Sequence, residues 1–390
     1  MDQEFINENR VYWRFVPGGE GKIDTSRLLH VPDAALIDTW RRNKEARYRG
    51  EWEARHFIEH FADRFAGKRI LSFGSGLAYS EIDFLDRGAH VTFADIVDTN
   101  IKCIERLYRL LGHSQTSFVV MDDSSRHEFG GPYDHVFAYG SLMYMPEEDQ
   151  ARTLANFRRA LAPGGSVFLM LYTPEFVRWT GTGFDHRAFA RAADESVGDL
   201  HAPWADWHDD EKIGRLAPDF SIAHAQTYNQ GRFVWYEIVP KPANGPARPF
   251  LDLIAAEERG RVIRRDVSLA AFSAADADVR LNDGLHVVTS TNQYHYAVTF
   301  PPFEPPTGDL VLAADIEIEA GGASVGLLDV AEQRFVMSKL CTKSGMHYAA
   351  LPPLPGQVQL IVSNFQPQGA GVSRFTINAL RLLSDSAPAP

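Results

Sequence analysis

Short apolar runs alternate with helical stretches between residues 67 and 240. The runs lie at residues 69–73, 90–94, 117–121, 135–139 and 166–171, and they are typical of strands buried on both faces. Between them, apolar residues recur every three or four positions, as in helices that pack one face on a sheet. Two further runs, 222–226 and 233–239, flank a turn and predict a closing hairpin. The pattern predicts an α/β domain with a seven-stranded sheet over residues 67–240.

The regions on either side of this domain have different patterns. Residues 1–66 are polar with scattered aromatic residues, and a helical pattern over residues 32–65, interrupted near Gly50, predicts an N-terminal helical cap. Residues 241–249 are rich in proline, which predicts a stiff linker.

The last third of the chain has little helical periodicity. After a short predicted helix at residues 250–259, strand-like runs follow one another between turn residues. They lie at residues 284–290, 294–300, 310–318, 324–328, 357–363 and 373–382. This spacing predicts a C-terminal all-β sandwich of the jelly-roll type over residues 250–390.

A glycine turn follows the first predicted strand, and an acidic residue ends the second. The turn reads Phe73-Gly74-Ser75-Gly76, and the acidic residue is Asp95, followed by Ile96. A strand, a glycine turn, a helix and a second strand ending in a carboxylate form half of a nucleotide-binding α/β domain. A dinucleotide site would need a third glycine at the position of Tyr79, so this turn disfavours a pyrophosphate.

Polar residues also follow the next two predicted strands. They are Asp122, Asp123 and Ser124 after the third strand, and Tyr139, Gly140 and Ser141 after the fourth. Each feature alone has a simpler explanation, because glycine turns occur in many loops, Asp95 suits a helix cap, and paired aspartates suit a turn. Their joint occurrence at successive strand ends indicates one binding site.

These motifs resemble those of class I S-adenosylmethionine-dependent methyltransferases, and Leu161-Ala-Pro-Gly-Gly165 resembles the turn before the family's fifth strand. The resemblance covers residues 67–240 and implies a Rossmann-like sheet with S-adenosylmethionine as cofactor. It implies that Gly74 and Gly76 approach the amino acid part of the cofactor and that Asp95 binds the ribose. Two departures are Ser72, where the family usually has an acidic residue, and Ala78, where it usually has a third glycine.

The resemblance also assigns the remaining cofactor residues. Asp122 or Asp123, with Ser124 alongside, would read the adenine, and residues 139–141 would lie beside the methionine part. Phe73 and Ile96, which flank the glycine turn and Asp95, complete the predicted cofactor set.

The sequence offers several candidate residues for the acceptor site. The candidates for a general base are Tyr144, His186 and His208, although a single histidine is more often structural. Residues 172–207 contain Trp179, Phe184, Trp204 and Trp207, which form either an acceptor wall or part of the core. Trp40, Tyr48 and Arg49 of the N-terminal region are candidates for a lid, with plain packing as the alternative. No set of metal-ligand carboxylates stands out, so no metal is expected.

Composition and charge limit the classes of binding partner and the cellular location that are expected. The net charge of −12 disfavours nucleic acid and anionic membranes as partners. No run is long enough for a membrane span. The two cysteines are far apart in the sequence, and the first residues show no secretion signal, so a cytoplasmic location is expected.

Three functional hypotheses remain open. The first is a methyltransferase that O-methylates a sugar or glycan, because the C-terminal sandwich resembles modules appended to enzymes of bacterial surface-glycan loci. The second is a methyltransferase for another small molecule or natural product, in which the sandwich assembles identical copies of the chain. The third is a catalytically silent methyltransferase fold that presents a glycan-binding module.

Overall fold

The fold is taken from a computed structural model. It describes residues 2–50, 58, 62, 64–194, 196–229, 231–241, 263–305, 310–351, 356–366 and 371–384. The contacts divide the chain into two compact units, residues 1–225 with 233–246 and residues 226–232 with 247–390. The predicted helix at 250–259 and most of the predicted linker lie outside the described residues.

The first unit is built on a seven-stranded sheet. Its strands are β3 (Arg69–Phe73), β4 (His90–Asp95), β5 (Thr116–Val120), β6 (Tyr133–Tyr139), β7 (Leu161–Tyr172), β8 (Phe220–Tyr228) and β9 (Phe233–Pro240). The strand order is β5-β4-β3-β6-β7-β9-β8. The first five strands are parallel, and β9 is antiparallel to β7. The predicted Rossmann-like fold is confirmed.

Helices cover the sheet and connect its strands. They are α1 (Gln3–Trp13), α2 (Thr25–Leu28), α3 (Asp33–Gly50), α4 (Glu81–Leu85), α5 (Asp98–Leu110), α6 (Glu147–Ala160), α7 (Pro174–Thr180), α8 (His186–Ala193) and α9 (Asp210–Leu216), with a 3₁₀ turn at Leu142–Tyr144. The side chains of Ile70, Phe93, Phe137 and Phe168 are buried in the sheet, as strands covered on both faces require.

The sequence predicts a purely helical N-terminal cap, but the structure differs from this prediction. A hairpin of β1 (Phe15–Gly18) and β2 (Gly21–Asp24) follows α1, with Val16 opposite Ile23. Its strands have only four residues each, too few to show a clear alternation of apolar and polar positions.

The turn predicted before the fifth strand of the sheet is instead part of that strand. β7 begins at Leu161, and its register with β6 shifts between the pairs Tyr133–Leu161 and His135–Ser166. Gly164 has a φ of +77° in this irregular stretch, so the glycines serve a bulge within the strand.

The second unit contains two antiparallel sheets. The strands are β10 (Ile263–Asp266), β11 (Ser273–Ala274), β12 (Ala277–Leu281), β13 (Leu285–Thr289), β14 (Tyr296–Thr299), β15 (Leu310–Ala320), β16 (Gly322–Asp329), β17 (Arg334–Cys341), β18 (Gly345–Leu351), β19 (Val358–Phe365) and β20 (Arg374–Ser384). One sheet has the order β12-β13-β20-β15-β18, with β10 also on β20, and the other has the order β11-β14-β19-β16-β17.

A common apolar core joins the two sheets. Val287 and Leu312 of one sheet belong to the same buried cluster as Val325 and Leu360 of the other. From β13 to β16 the chain changes sheet at every connection, as in a jelly roll. The prediction of an all-β C-terminal region is confirmed.

Candidate functional site

A cavity of about 350 Å³ opens at the carboxyl ends of the parallel strands. This is the end of an open α/β sheet where ligands usually bind. Ten of the twelve predicted cofactor residues line the cavity: Phe73, Gly74, Ser75, Gly76, Asp95, Ile96, Ser124, Tyr139, Gly140 and Ser141. The sequence motifs therefore meet in one place.

The glycine turn has a backbone that side chains would strain. Gly74 and Gly76 have φ values of +67° and +55°. A Cβ on Gly74 would lie 2.3 Å from the Cβ of Ser141, so the neighbouring strand end approaches the turn too closely for a side chain. Ala78 keeps the same left-handed conformation, with a φ of +50°, at the position where a third glycine is usual in the family. The turn is retained without that glycine.

Asp95 connects the end of β4 to the glycine turn. Its Oδ2 accepts the backbone N–H of Gly76 at 2.9 Å, and its Oδ1 accepts that of Val97 at 2.8 Å. Burial raises the pKa of Asp95 to about 6, although these two hydrogen bonds oppose the rise. The Asn100 side chain and the backbone N–H of Ile96 also support the carboxylate, which lines the cavity and can accept from a ligand hydroxyl.

The residues after β5 have different surroundings. Ser124 is buried and lines the cavity, whereas Asp122 and Asp123 are not among the lining residues. The Asp123 carboxylate accepts the backbone N–H and the hydroxyl of Ser125, both at 2.8 Å. These hydrogen bonds form a local turn, so the role of Asp123 is to stabilise the backbone after β5.

The residues after β6 close the other side of the glycine turn. The Ser141 hydroxyl donates to the backbone oxygen of Phe73 at 2.8 Å. The Tyr139 ring stacks on Trp235, with ring centroids 5.4 Å apart. Both contacts hold this strand end against the floor of the cavity.

The N-terminal helices contribute residues that the sequence did not reveal as site residues. Asn9, Trp13 and Arg47 line the cavity. Arg10 donates to the backbone oxygens of Ile96 and Asp122, at 3.1 and 3.0 Å, and so ties α1 to two strand ends. These contacts arise from tertiary packing, because α1 and α3 are distant in sequence from the strand ends. Local sequence patterns therefore do not predict them.

The predicted lid residues have packing contacts. Trp40 is buried, its Nε1 donates to the Leu77 backbone oxygen at 2.8 Å, and its ring stacks on Tyr79. The Tyr48 hydroxyl donates to Asp83 at 2.8 Å. Neither of these two residues nor Arg49 is among the lining residues. Trp40 therefore stabilises the residues that follow the glycine turn and does not contact the cavity as a lid would.

Glu81 is a buried acidic residue in the cavity wall that lies outside the sequence motifs. It is the first residue of α4 and only 4% exposed. Its Oε1 accepts the Ser72 hydroxyl at 2.5 Å. Burial raises the pKa of Glu81 to about 7, against the effects of the Ser72 hydrogen bond and the Arg47 charge. Its position soon after the glycine turn was the available sequence signal.

The β7 side of the cavity is aromatic. Tyr144, Tyr172, Trp13 and Phe233 line it. The hydroxyls of Tyr144 and Tyr172 lie 2.7 Å apart, and the Trp13 ring centroid lies 4.4 Å from that of Tyr144. Burial, followed by the neighbouring Tyr172 and Asp194, raises the pKa of Tyr144 well above its ordinary value. Tyr144 is therefore a neutral phenol at physiological pH.

One carboxylate, that of Asp194, lines the cavity near these rings. Its Oδ1 lies 3.0 Å from Nζ of Lys22, and both side chains are at most 10% exposed. The Lys22 ammonium also lies over the Tyr12 and Trp13 rings, 4.5 and 5.0 Å from their centroids. Lys22 balances the charge of Asp194 and holds it in place.

The two predicted histidines are not among the lining residues. His186 is stacked between Trp204 and Trp207, with ring centroids 4.0 and 4.4 Å away. His208 is buried, and its Nε2 lies 2.6 Å from Oε1 of Gln150. Burial lowers the pKa of His208 to about 4, so it is neutral.

The aromatic residues predicted as an acceptor wall between β7 and β8 do not line the cavity, although Ala193 and Asp194 of the same segment do. Trp179, Phe184, Trp204 and Trp207 are not among the lining residues, and Trp179 is 65% exposed.

Among the described residues, no three His, Cys, Asp or Glu side chains lie together as metal ligands would. None of the described helices is long and apolar enough to cross a membrane.

Comparison with known proteins agrees with this geometry. Residues 70–165 match the family model of a methyltransferase domain. The ubiquinone biosynthesis O-methyltransferase of Idiomarina loihiensis is 26% identical over 124 residues, which are 32% of this chain and 50% of that protein. This chain thus spans about half the length of that curated relative.

Similar solved structures include two methyltransferases. The CcbJ methyltransferase from Streptomyces caelestis has 13% identity and a TM-score of 0.41, over 48% of this chain and 88% of that one. The glycopeptide N-methyltransferase MtfA in complex with S-adenosylmethionine has 17% identity and a TM-score of 0.36, over 47% and 85%.

The chain therefore contains a seven-stranded Rossmann-like domain, of which residues 70–165 match a methyltransferase domain.

Proposed function

We propose that this chain transfers a methyl group from S-adenosylmethionine to a hydroxyl group of a small acceptor, with a sugar or glycan as the acceptor class. In this proposal residues 67–240 form the catalytic domain, residues 241–249 a linker and residues 250–390 a separate module. The reaction takes place in the cytoplasm, a compartment that the two buried free thiols, Cys103 and Cys341, suit.

The observation that carries the proposal is the order of side chains along one cavity. Ser124 follows β5, Asp95 ends β4, the glycine turn follows β3, and Tyr172 ends β7. A nucleoside bound by Asp95 would therefore lie at one end, and the aromatic end would remain for the acceptor. The small residues of the glycine turn leave their backbone open to the part of the cofactor that lies between the nucleoside and the acceptor.

The cavity fits the cofactor in size and chemistry. Its volume of about 350 Å³ is within the range of small-molecule sites. Asp95 would hold the ribose, Ser124 would lie beside the adenine, and the turn at Gly74 would contact the amino acid part. S-adenosylmethionine supplies a methyl group that its positive sulfur already activates. The remaining tasks of the protein are to orient the acceptor and to take up its proton.

The acceptor end supports a sugar because it combines aromatic planes with a carboxylate. Ring C–H groups of a sugar would pack on the faces of Trp13 or Phe233, and its hydroxyls would donate to Asp194. The second candidate, another hydroxylated small molecule such as a phenol, would use the same aromatic planes.

Asp194 is the group that we assign as proton acceptor. Tyr144 also lines this end, but its raised pKa keeps it protonated. Lys22 fixes Oδ1 of Asp194 at 3.0 Å and so orients the carboxylate. The acceptor oxygen would gain the methyl group and lose its proton to Asp194.

The first experiment measures cofactor binding by calorimetry. The full chain is expected to bind S-adenosylhomocysteine, and Asp95→Ala should weaken this binding at least tenfold. Asp122→Ala is the matched control, because Asp122 follows the neighbouring strand but is not a lining residue. A wild-type chain that does not bind S-adenosylhomocysteine would support the silent scaffold and overturn the proposal.

The second experiment measures methyl transfer to nucleotide sugars, oligosaccharides and small phenols. Sugars are expected to react, and Asp194→Asn should lower kcat by about 10²-fold or more while S-adenosylhomocysteine binding stays unchanged. Asp199→Asn is the control, since Asp199 is exposed and not a lining residue. Turnover of phenols without any turnover of sugars would exclude the sugar assignment.

The C-terminal module is part of the proposal as a glycan-binding element. A glycan array probed with the full chain, together with light scattering for its oligomeric state, separates glycan binding from assembly. A dimer without glycan binding would assign the module to assembly.

A further inference from the structure

Two opposite charges lie in the wall of the cavity beside the glycine turn. Glu81 begins α4, and Arg47 belongs to α3; both line the cavity. The Arg47 guanidinium lies 4.8 Å from the centroid of the Tyr139 ring and 5.9 Å from that of Tyr79. Two aromatic rings therefore hold the cationic group at the cavity surface.

Among the residues that the structure describes, the hydrogen-bond partners of Glu81 are neutral, and the Arg47 charge acts on its carboxylate without a hydrogen bond. The Ser72 hydroxyl donates to Oε1 at 2.5 Å, and the backbone N–H groups of Ser80 and Glu81 also support the carboxylate. Removing a carboxylate from water is costly unless a cation compensates for the lost hydration. A ligand that brings an ammonium group would supply this compensation and use an acceptor position that Ser72 leaves open.

Arg47 offers the complementary group. A planar guanidinium binds a carboxylate through two parallel N–H donors. The ligand group that carries an ammonium and a carboxylate on one carbon is an α-amino acid. Glu81 and Arg47 line the same cavity as the glycine turn, which the proposed function assigns to the amino acid part of the cofactor.

We propose that Glu81 binds the α-ammonium group and Arg47 the α-carboxylate of the cofactor, so that the pair selects a zwitterionic ligand over a nucleoside without one. This inference rests on the proposed function, since it takes S-adenosylmethionine as the cofactor. It gives a specificity role to a helix of the N-terminal region and to a residue outside the predicted motifs.

The test compares three ligands by calorimetry with the full chain at pH 8. S-adenosylhomocysteine carries both charges, S-adenosyl-3-thiopropylamine carries only the ammonium, and 5′-methylthioadenosine carries neither. Wild type is expected to bind S-adenosylhomocysteine about 100-fold more tightly than 5′-methylthioadenosine.

Each variant should lose one part of this preference. Glu81→Gln should weaken binding of both amine-containing ligands at least tenfold and leave 5′-methylthioadenosine unchanged. Arg47→Gln should weaken only S-adenosylhomocysteine. Asp86→Asn is the matched control, because Asp86 follows α4 directly but is exposed and not a lining residue. It should bind all three ligands like the wild type.

The outcomes separate this inference from the proposed function. If wild type binds S-adenosylhomocysteine and Glu81→Gln binds it equally well, the inference is wrong while the proposed function stands. An equal loss of all three ligands in Glu81→Gln would show that Glu81 only shapes the cavity, which also overturns the inference. A wild-type chain that binds none of the ligands overturns both.

Discussion

The hydroxyl of Ser72 donates a hydrogen bond of 2.5 Å to Oε1 of Glu81, and both residues are buried. Burial raises the pKa of Glu81 to about 7 from an ordinary value of 4.5, against this hydrogen bond and the Arg47 charge. The cavity wall therefore contains a carboxyl group that is partly ionised at neutral pH.

This raised pKa predicts a stability that falls as pH rises. A group whose pKa is higher in the folded chain contributes stability fully below the unfolded value of 4.5, and this contribution is lost as pH rises through 7. Between pH 5.5 and 8 the loss due to Glu81 should be about 2 kcal/mol. Glu81→Gln removes it, so the ligand-free variant should gain that much on the wild type between these pH values.

Urea unfolding at the two pH values measures the difference between variant and wild type. Asp95, with a pKa near 6, contributes to the pH dependence of both proteins and cancels in the comparison. Equal pH dependence in Glu81→Gln and wild type would contradict the assigned pKa.

The affinity for the cofactor should rise with pH, whereas the stability falls. The ammonium group of S-adenosylhomocysteine binds the ionised form of Glu81, so its affinity should rise between pH 6 and 8, at most tenfold per unit. Asp95 ionises at lower pH, and the Arg47 charge is constant over this range. Calorimetry in the same buffers should give a flat profile above pH 7 for Glu81→Gln. A similar rise in the variant would assign the pH effect to another group.

Gly74 should be intolerant of a side chain for two reasons. Its φ of +67° costs an L-residue about 1–2 kcal/mol, and a Cβ would lie 2.3 Å from that of Ser141. Gly74→Ala should lower the free energy of unfolding by about 3 kcal/mol in urea unfolding. Gly88→Ala is the control for conformation alone, because its φ is +81° and no atom would lie within 4 Å of the new Cβ.

The clash can be removed separately from the strain. Ser141→Gly in the Gly74→Ala background deletes the Cβ that the alanine meets. Relative to Ser141→Gly alone, which lacks the hydrogen bond to Phe73, the alanine should then cost only as much as Gly88→Ala does. If the alanine costs as much in the Ser141→Gly background as in the wild type, Ser141 is not the source of the clash.

Much of the α/β fold could be predicted from local sequence patterns. The apolar runs at 69–73 and 90–94 correspond closely to β3 and β4, since strands buried on both faces need continuous apolar sequence. The glycine turn and Asp95 were predictable as site features because backbone conformation and strand ends constrain residue type. The cofactor assignment followed from several such features together.

Residues that reach the cavity through tertiary packing could not be predicted in this way. Arg47 lines the cavity, whereas the lid candidates Tyr48 and Arg49 do not. One residue along a helix turns the side chain by about 100°, and the polar sequence of α3 does not reveal the inward face. Asp194 follows a short helix, and Lys22, its partner, lies in a hairpin that the sequence pattern did not reveal.

His208 belongs to a buried polar network that makes it structural. Its Nε2 lies 2.6 Å from Oε1 of Gln150, and Nε2 of Gln150 donates to Asp206 at 2.7 Å. The Lys212 ammonium donates to the other oxygen of Asp206 at 2.6 Å. The backbone N–H of Asp206 also donates to the Met143 backbone oxygen, which links the network to the 3₁₀ turn that carries Tyr144.

Lys212→Met should destabilise the protein strongly, because it leaves the fully buried Asp206 carboxylate without its cation. Losing one partner of a buried pair costs about 3–5 kcal/mol. Arg215→Met is the control: Arg215 pairs with Glu147 at the surface, and an exposed pair contributes less than about 1 kcal/mol. Urea unfolding of both variants at pH 7 measures the difference. Equal, small losses would show that Asp206 finds another partner and that Lys212 does not hold the network together.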